Sequence, residues 1–271
     1  RGDLHGALDE LRHAQRLADS TGGSLGVRAG LALARADYAL QLNSLGDAER
    51  LYGRAEFLYR RAGDQGGEAE AQQGRGLLFL ERDNYPRAQV LLETALRTQS
   101  ASGHARAAAL TRVSLGAVSL QRGDTASARR HLARASVDLE QLGDPIGAAA
   151  ALAERAALEA AAGSSGIAES LYHAGLQQLG TRVAPEVAWQ LHAGLGLVLR
   201  GRGAMDDAAR ELRAALAEID RPARSLVLAE RRSAYLADKW DVYAQLALTE
   251  RARGLPGAAF EASERLRARE M

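Results

Sequence analysis

The sequence predicts an all-α solenoid of antiparallel helical hairpins. Three observations predict it. Hydrophobic residues make up 46% of the chain but aromatics only 4%, so the core is built mostly from Ala and Leu, both strong helix formers. Apolar residues recur at i, i+3 and i+4 rather than alternately, which is the helical period and not that of a strand. A turn residue, usually Gly, followed five positions later by a residue that is usually Ala, recurs along the chain with a period near 40.

The turn pairs are Gly2/Ala7, Gly46/Leu51, Asp83/Ala88, Gly123/Ala128, Gly163/Ala168, Gly203/Ala208 and Gly254/Ala259. Successive turns are 44, 37, 40, 40, 40 and 51 residues apart. Seven residues before each turn after the first stand Ala39, Gly76, Gly116, Ala156, Gly196 and Ala247, all of them small. A glycine inside a helix costs roughly 1 kcal/mol against Ala. Three of them require a reason, and close approach of the return helix supplies it.

Each unit is then a helix A, a tight turn and a helix B. The B helices fall near 4–20, 47–62, 85–101, 125–142, 165–179, 204–219 and 256–271. The A helices fall near 24–45, 66–82, 104–122, 146–162, 185–201 and 223–253. Pro86, Pro145, Pro185, Pro222 and Pro256 mark helix starts, where a missing N–H costs nothing. Asp47, Asn84, Asp124 and Ser164 stand where side-chain caps are expected. The interval of 51 exceeds 40 by about three helical turns, so the last A helix is expected to run unbroken over about 223–253. The whole of 1–271 reads as a single repeat domain. It begins without Met in the middle of a hairpin, as a piece of a larger protein would.

The small residue in helix A, the following Gly and the Ala five beyond it resemble the tetratricopeptide repeat, and the resemblance implies a right-handed superhelical solenoid. Leu195-Gly196…Gly203…Ala208 and Leu115-Gly116…Gly123…Ala128 carry the pattern most fully. Arg75 and Arg155 depart from it, standing where the family usually has Leu, and the period is that of the longer variant. Armadillo and HEAT repeats share the period but not the Gly–Gly–Ala spacing. The run Ala258-Ala259-Phe260-Glu261-Ala262-Ser263-Glu264-Arg265-Leu266-Arg267-Ala268-Arg269-Glu270 resembles the last repeat before a CHAT domain. That is the caspase-like protease domain that accompanies such repeats in bacteria. Arg231-Arg232-Ser233-Ala234-Tyr235-Leu236 and Trp240-Asp241-Val242-Tyr243 fit the helix that precedes it.

The resemblance implies a cytoplasmic, non-enzymatic sensor and scaffold that binds a protein or peptide and controls a caspase-like domain following Met271 in cis. The final hairpin, 254–271, would lead into that domain. Trp240, Arg265, Arg267 and Arg269 are the candidate interdomain contacts, although the arginines equally fit a solvated face. Two alternatives remain open: the sensor array of a signalling ATPase of the STAND type, and a free-standing adaptor.

Composition narrows the rest. The 35 basic and 34 acidic residues leave a net charge of +1, which exerts no global pull on nucleic acid or an anionic membrane. Nearly all the basic residues are Arg, and Lys239 is the only Lys. There is no Cys, hence no thiolate metal site or Cys nucleophile within these residues. No apolar run approaches the length of a membrane span. The six His include no i, i+4 pair, and no phosphate-loop, Rossmann or G-x-S-x-G motif occurs, so neither a cofactor nor a catalytic residue is expected. Trp189 reads as core or a repeat-to-repeat contact, with partner binding as its alternative.

The concave face is the remaining candidate. In the tetratricopeptide family helix A lines it. Counting 13, 10, 6 and 3 residues back from each turn gives a lining that includes Leu33, Leu40, Asn43, Glu70, Gln73, Leu77, Leu80, Leu110, Val113, Leu120, Leu197 and Arg200. A surface so apolar is expected either to bind a partner's peptide or amphipathic helix, or to be packed shut within the superhelix.

Overall fold

A computed structural model of the chain describes residues 4–20, 22–226, 229–237 and 239–267. Every regular element among them is an α-helix. Contacts gather them into two compact units, divided in sequence between Asp144 and Pro145. The first holds α1 (Leu4–Ser20), α2 (Leu25–Gln41), α3 (Leu45–Ala62), α4 (Gln65–Glu81), α5 (Tyr85–Ala101), α6 (Ala105–Gln121) and α7 (Thr125–Gln141). The second holds α8 (Pro145–Ala161), α9 (Ser165–Leu179), α10 (Pro185–Gly201), α11 (Met205–Ser225), α12 (Ala229–Leu236), α13 (Trp240–Ala252) and α14 (Pro256–Arg267).

In the first unit the tightest pairs are α2/α3, α4/α5 and α6/α7, the expected hairpins. The first helices α2, α4 and α6 also touch one another in succession, whereas α3, α5 and α7 have no comparable mutual contact. The first helices therefore form an inner layer and the second helices an outer one. The second unit repeats the scheme with α8/α9, α10/α11 and α13/α14.

The elbows explain the period. Gly123, Gly163, Gly203 and Gly254 take a left-handed backbone, at φ 76°, 79°, 83° and 76°. At Gly123 the bond from the Asp124 N–H to the Ser119 carbonyl (2.9 Å) closes the last turn of α6, and Gly123 N–H bonds Leu120 (2.9 Å). The turn expected at Gly2 lies outside the described residues, and the elbow expected at Gly46 lies elsewhere. It is Asn43, at φ 55°, and not Gly46, which lies inside α3. Asn and Asp tolerate the left-handed region better than other side chains, and Asp83 at φ 56° is the second case. From Asn43 to Gly203 the elbows then stand 40 residues apart throughout. Ser44 becomes the N-cap residue of α3, and Asp47 falls in its first turn, where a carboxylate suits the positive helix end. The caps at Asn84 and Asp124 form as expected, on the N–H groups of Arg87 and Ser127.

The glycines inside helix A have the expected cause. A Cβ on Gly76, Gly116 or Gly196 would lie 2.7, 2.5 or 2.8 Å from the Cγ of Leu92, Leu132 or Leu212, each nine residues past its elbow. Those leucines are fully buried. Where the ninth residue is Tyr instead, the demand for space moves to the next hairpin. A Cβ on Gly74 would meet Tyr52 at 2.1 Å, and one on Gly194 would meet Tyr172 at 2.2 Å.

Between hairpins a polar clamp recurs at a sequence distance of 33. The residue that ends the first helix, Arg82, Arg122 or Arg202, bonds Glu49, Gln89 or Glu169 on the preceding second helix. Exposed pairs of this kind contribute about 0–1 kcal/mol each. They fix orientation more than they add stability.

The interval of 51 is not a single helix over 223–253. α11 continues through Pro222 to Ser225, α12 is separate and eight residues long, and α13 starts at Trp240. Pro222 thus lies inside a helix and not at a helix start. Three whole turns preserve phase, but phase does not demand straightness. Leu226, Tyr235 and Leu236 are buried. A straight projecting helix would hold such side chains in water, and the breaks return them to the protein. Leu226 makes the first break in an extended conformation (φ −84°, ψ 106°). Tyr235 then donates to Glu186 Oε1 on α10 (3.0 Å). Lys239 Nζ, also buried, sits 4.4 Å from the Tyr235 ring centroid and 5.7 Å from that of Trp189.

Candidate binding groove

On the inner layer of the first unit, α2, α4 and α6 and the turns leading into α4 and α6 enclose an open groove of about 890 Å³. Leu33 on α2, Leu77 on α4 and Leu110 on α6 form its aliphatic wall, each half-buried. Helical spacing puts them there. Leu78 and Phe79, next to Leu77, point the other way and are buried in the hairpin core.

A buried polar relay fixes one residue of the groove. Thr111 Oγ1 donates to Gln99 Oε1 (2.7 Å), and Gln99 Nε2 donates to Gln73 Oε1 (3.1 Å). Gln99 and Thr111 are almost fully buried. With its carbonyl occupied, the Gln73 amide keeps its N–H groups for whatever enters the groove.

The acidic residues are set from below. Gly74 leaves room for the Tyr52 ring, and this brings the Tyr52 hydroxyl to Asp37 Oδ1 (2.7 Å). Burial pushes the Asp37 carboxyl up, the Tyr52 hydrogen bond opposes this, and the charge of Glu70 raises it further. Gly67 accommodates the Tyr59 ring in the same way. Burial pushes the Tyr59 hydroxyl up, and the charges of Glu70, Asp64 and Asp37 add to the effect. Asp64 is the N-cap of α4 and accepts from the Gly67 N–H (2.9 Å). His104, the N-cap residue of α6, lies over Gly66 at the mouth. Arg106 bonds Asp144 through Nε (2.7 Å).

Of the lining residues the sequence predicts, Leu33, Glu70, Gln73, Leu77 and Leu110 are brought together here. Leu40, Leu80, Val113 and Leu120 are half-buried on the same three helices but outside the groove, and Leu40 and Leu80 pack against the core. Asn43 forms the left-handed elbow after α2 and is not among the residues that line this groove. Leu197 belongs to the second unit, in a smaller hollow of about 360 Å³ with Tyr172 and Gly194. Arg200 bonds Gln245 of α13. Trp240 is half-buried at the start of α13, and Arg265 is exposed on α14. Arg267 ends α14, and Arg269 lies outside the described residues. Trp189 donates to Glu186 Oε2 (3.1 Å) and stacks near Lys239, so it makes a contact within its own unit.

Sequence reasoning missed Asp37, Tyr59, Asp64, Gln99 and His104. One signal was available. Counted from Asn43, Leu33 and Asp37 fall at the same two positions as Gln73 and Leu77 do from Asp83.

No sequence-family profile matches the chain, and no curated protein matches it. Solved structures do. A Rap protein complexed with competence and sporulation factor is 15% identical, with a TM-score of 0.68 over 98% of this chain and 85% of that one. The APC/C hetero-tetramer Cut9-Hcn1 gives 18% identity and a TM-score of 0.70 over 99% of this chain and 44% of that one. BtubC from P. vanneervenii gives 20% identity and a TM-score of 0.56 over 82% of this chain and 89% of that one. At such identities the likeness is one of fold. It defines the class as a tetratricopeptide-like helical repeat protein. Among the described residues no helix is long and apolar enough to cross a membrane.

Proposed function

We propose that this chain is a non-enzymatic peptide- or protein-binding scaffold and sensor, and that it controls a caspase-like CHAT protease domain joined to its C-terminal end. The observation that carries the binding part is the groove itself. Three half-buried leucines, a hydrogen-bond-locked glutamine and uncompensated carboxylates face open space on the inner layer. Apolar surface held open beside fixed polar groups is what peptide recognition requires. The Rap protein structure, of like fold, holds competence and sporulation factor, which supports the same reading. The protease part rests on the resemblance of Ala258–Glu270, and the relay is assigned to α13 and α14, the hairpin next to that end.

Two experiments test it. Reading the coding sequence beyond Met271 should show a domain with His and Cys following predicted strands; any other continuation removes the protease from the proposal. In the intact protein, deleting 254–271 should uncouple protease activity from the ligand. Unchanged control would overturn the relay.

A further inference from the structure

We infer that the groove recognises an extended peptide through a cationic side chain, Lys or Arg, seated between Asp37 and Glu70, with a neighbouring aliphatic side chain against Leu33, Leu77 and Leu110. The inference rests on the peptide-groove reading above and specifies its ligand.

Charge accounting carries it. Asp64 is engaged by the N-terminus of α4, and Arg106 by Asp144. Asp37 receives one neutral hydrogen bond, from Tyr52. Among the described residues, no cation pairs with Asp37 or Glu70. Asp37 and Glu70 line the same groove, and the charge of Glu70 pushes the Asp37 carboxyl up, so the pair is relieved by a positive guest and burdened further by a negative one. The aliphatic wall and the Gln73 amide say what carries that charge. A free metal ion would use neither, whereas a peptide offers an apolar side chain to the leucines and a backbone carbonyl to the Gln73 N–H groups. The Tyr52–Gly74 fit holds the Asp37 carboxylate in place before any ligand arrives, so little ordering is needed on binding.

The test is an array of acetylated, amidated hexapeptides in an Ala/Leu background, one position varied through all residues, probed with the labelled chain. Three variants run beside the wild type: Asp37→Asn/Glu70→Gln, the single Glu70→Gln, and Leu77→Glu/Leu110→Glu. Peptides with Lys or Arg at one position should bind the wild type about tenfold or more tightly than their Gln counterparts. That preference should vanish in Asp37→Asn/Glu70→Gln and weaken in Glu70→Gln, while circular dichroism melting shows both variants folded. A preference for Asp or Glu, no charge preference, or a Lys/Arg preference retained in the double variant would overturn the cation assignment and leave the peptide groove standing. No peptide held better by the wild type than by Leu77→Glu/Leu110→Glu would overturn the groove reading itself.

Discussion

At the scale of single residues, the glycines divide into those that make space and those that do not. Gly116 cannot carry a Cβ without meeting Leu132 at 2.5 Å, whereas a Cβ on Gly53, in the middle of α3, meets nothing within 4 Å. Gly53→Ala should therefore stabilise the protein by about 1 kcal/mol through helix propensity alone. Gly116→Ala should destabilise it by about 1–3 kcal/mol, since overpacking exceeds the same gain. Denaturant melts of the two variants decide this, and equal shifts would refute the close-approach account. The sequence showed that residues such as Gly116 must be small, because their spacing repeats. It did not show the partner leucine nine residues past the elbow, nor the exchange of Tyr52 with Gly74, because contacts between helices leave no period within either. Glu154 on α8 is another residue set by its surroundings. Burial alone pushes its carboxyl above the ordinary glutamate value of 4.5. The folded state then holds the proton more tightly than the unfolded one, so stability falls as pH rises from 4.5 through the folded pKa. Glu154→Gln should melt higher than the wild type at pH 7, and the gap should close as pH drops below 4.5.

Among the elements, the turns were the legible part and also the place where the reading slipped. Gly marks most elbows because only it enters the left-handed region freely. Leu45-Gly46-Asp47 has the look of the same turn, yet the chain bends at Asn43. The two spacings of 44 and 37 around it are the trace of that misplacement, since they become 41 and 40 once the elbow moves. Asn43→Gly should raise stability by a few tenths to about 1 kcal/mol by relieving the left-handed strain. The same substitution at Ser44, the N-cap position, should not. The broken segment between α11 and α13 was illegible for a different reason. Its phase fits one long helix, and its bend is decided by tertiary anchors, Tyr235 on Glu186 and Lys239 over Tyr235 and Trp189. Removing the anchor should release the element without touching the hairpins of the first unit. In Lys239→Ala, hydrogen exchange should rise across α12 and stay at wild-type rates across α4–α7. A uniform rise would mean that the lysine supports the whole fold and not this segment.

For the molecule as a whole, the proposed binding surface and the packed core lie on opposite faces of the same helices. Leu77 and Leu78 are neighbours with one side chain type, and sequence alone gives no reason to treat them differently until the helix is assigned a face. Leu77 looks into the groove half-buried, whereas Leu78 is completely enclosed beside Leu92 and Leu115 in the hairpin core. Leu78→Ala should cost about 2–5 kcal/mol, because the void left in a packed core adds to the lost transfer energy. Leu77→Ala should cost less than about 1 kcal/mol while weakening the retention of hexapeptides on the array, since truncating an open wall leaves no cavity and removes ligand contact. Because each repeat contacts mainly its neighbours, the Leu78 defect should be felt most in α4 and α5 and fade along the first unit. If Leu77→Ala proved the more destabilising of the two, the inner face would be a packed seam. The superhelix would then be closed where a ligand is required to lie, and the cation seat at Asp37 and Glu70 would have no peptide to anchor.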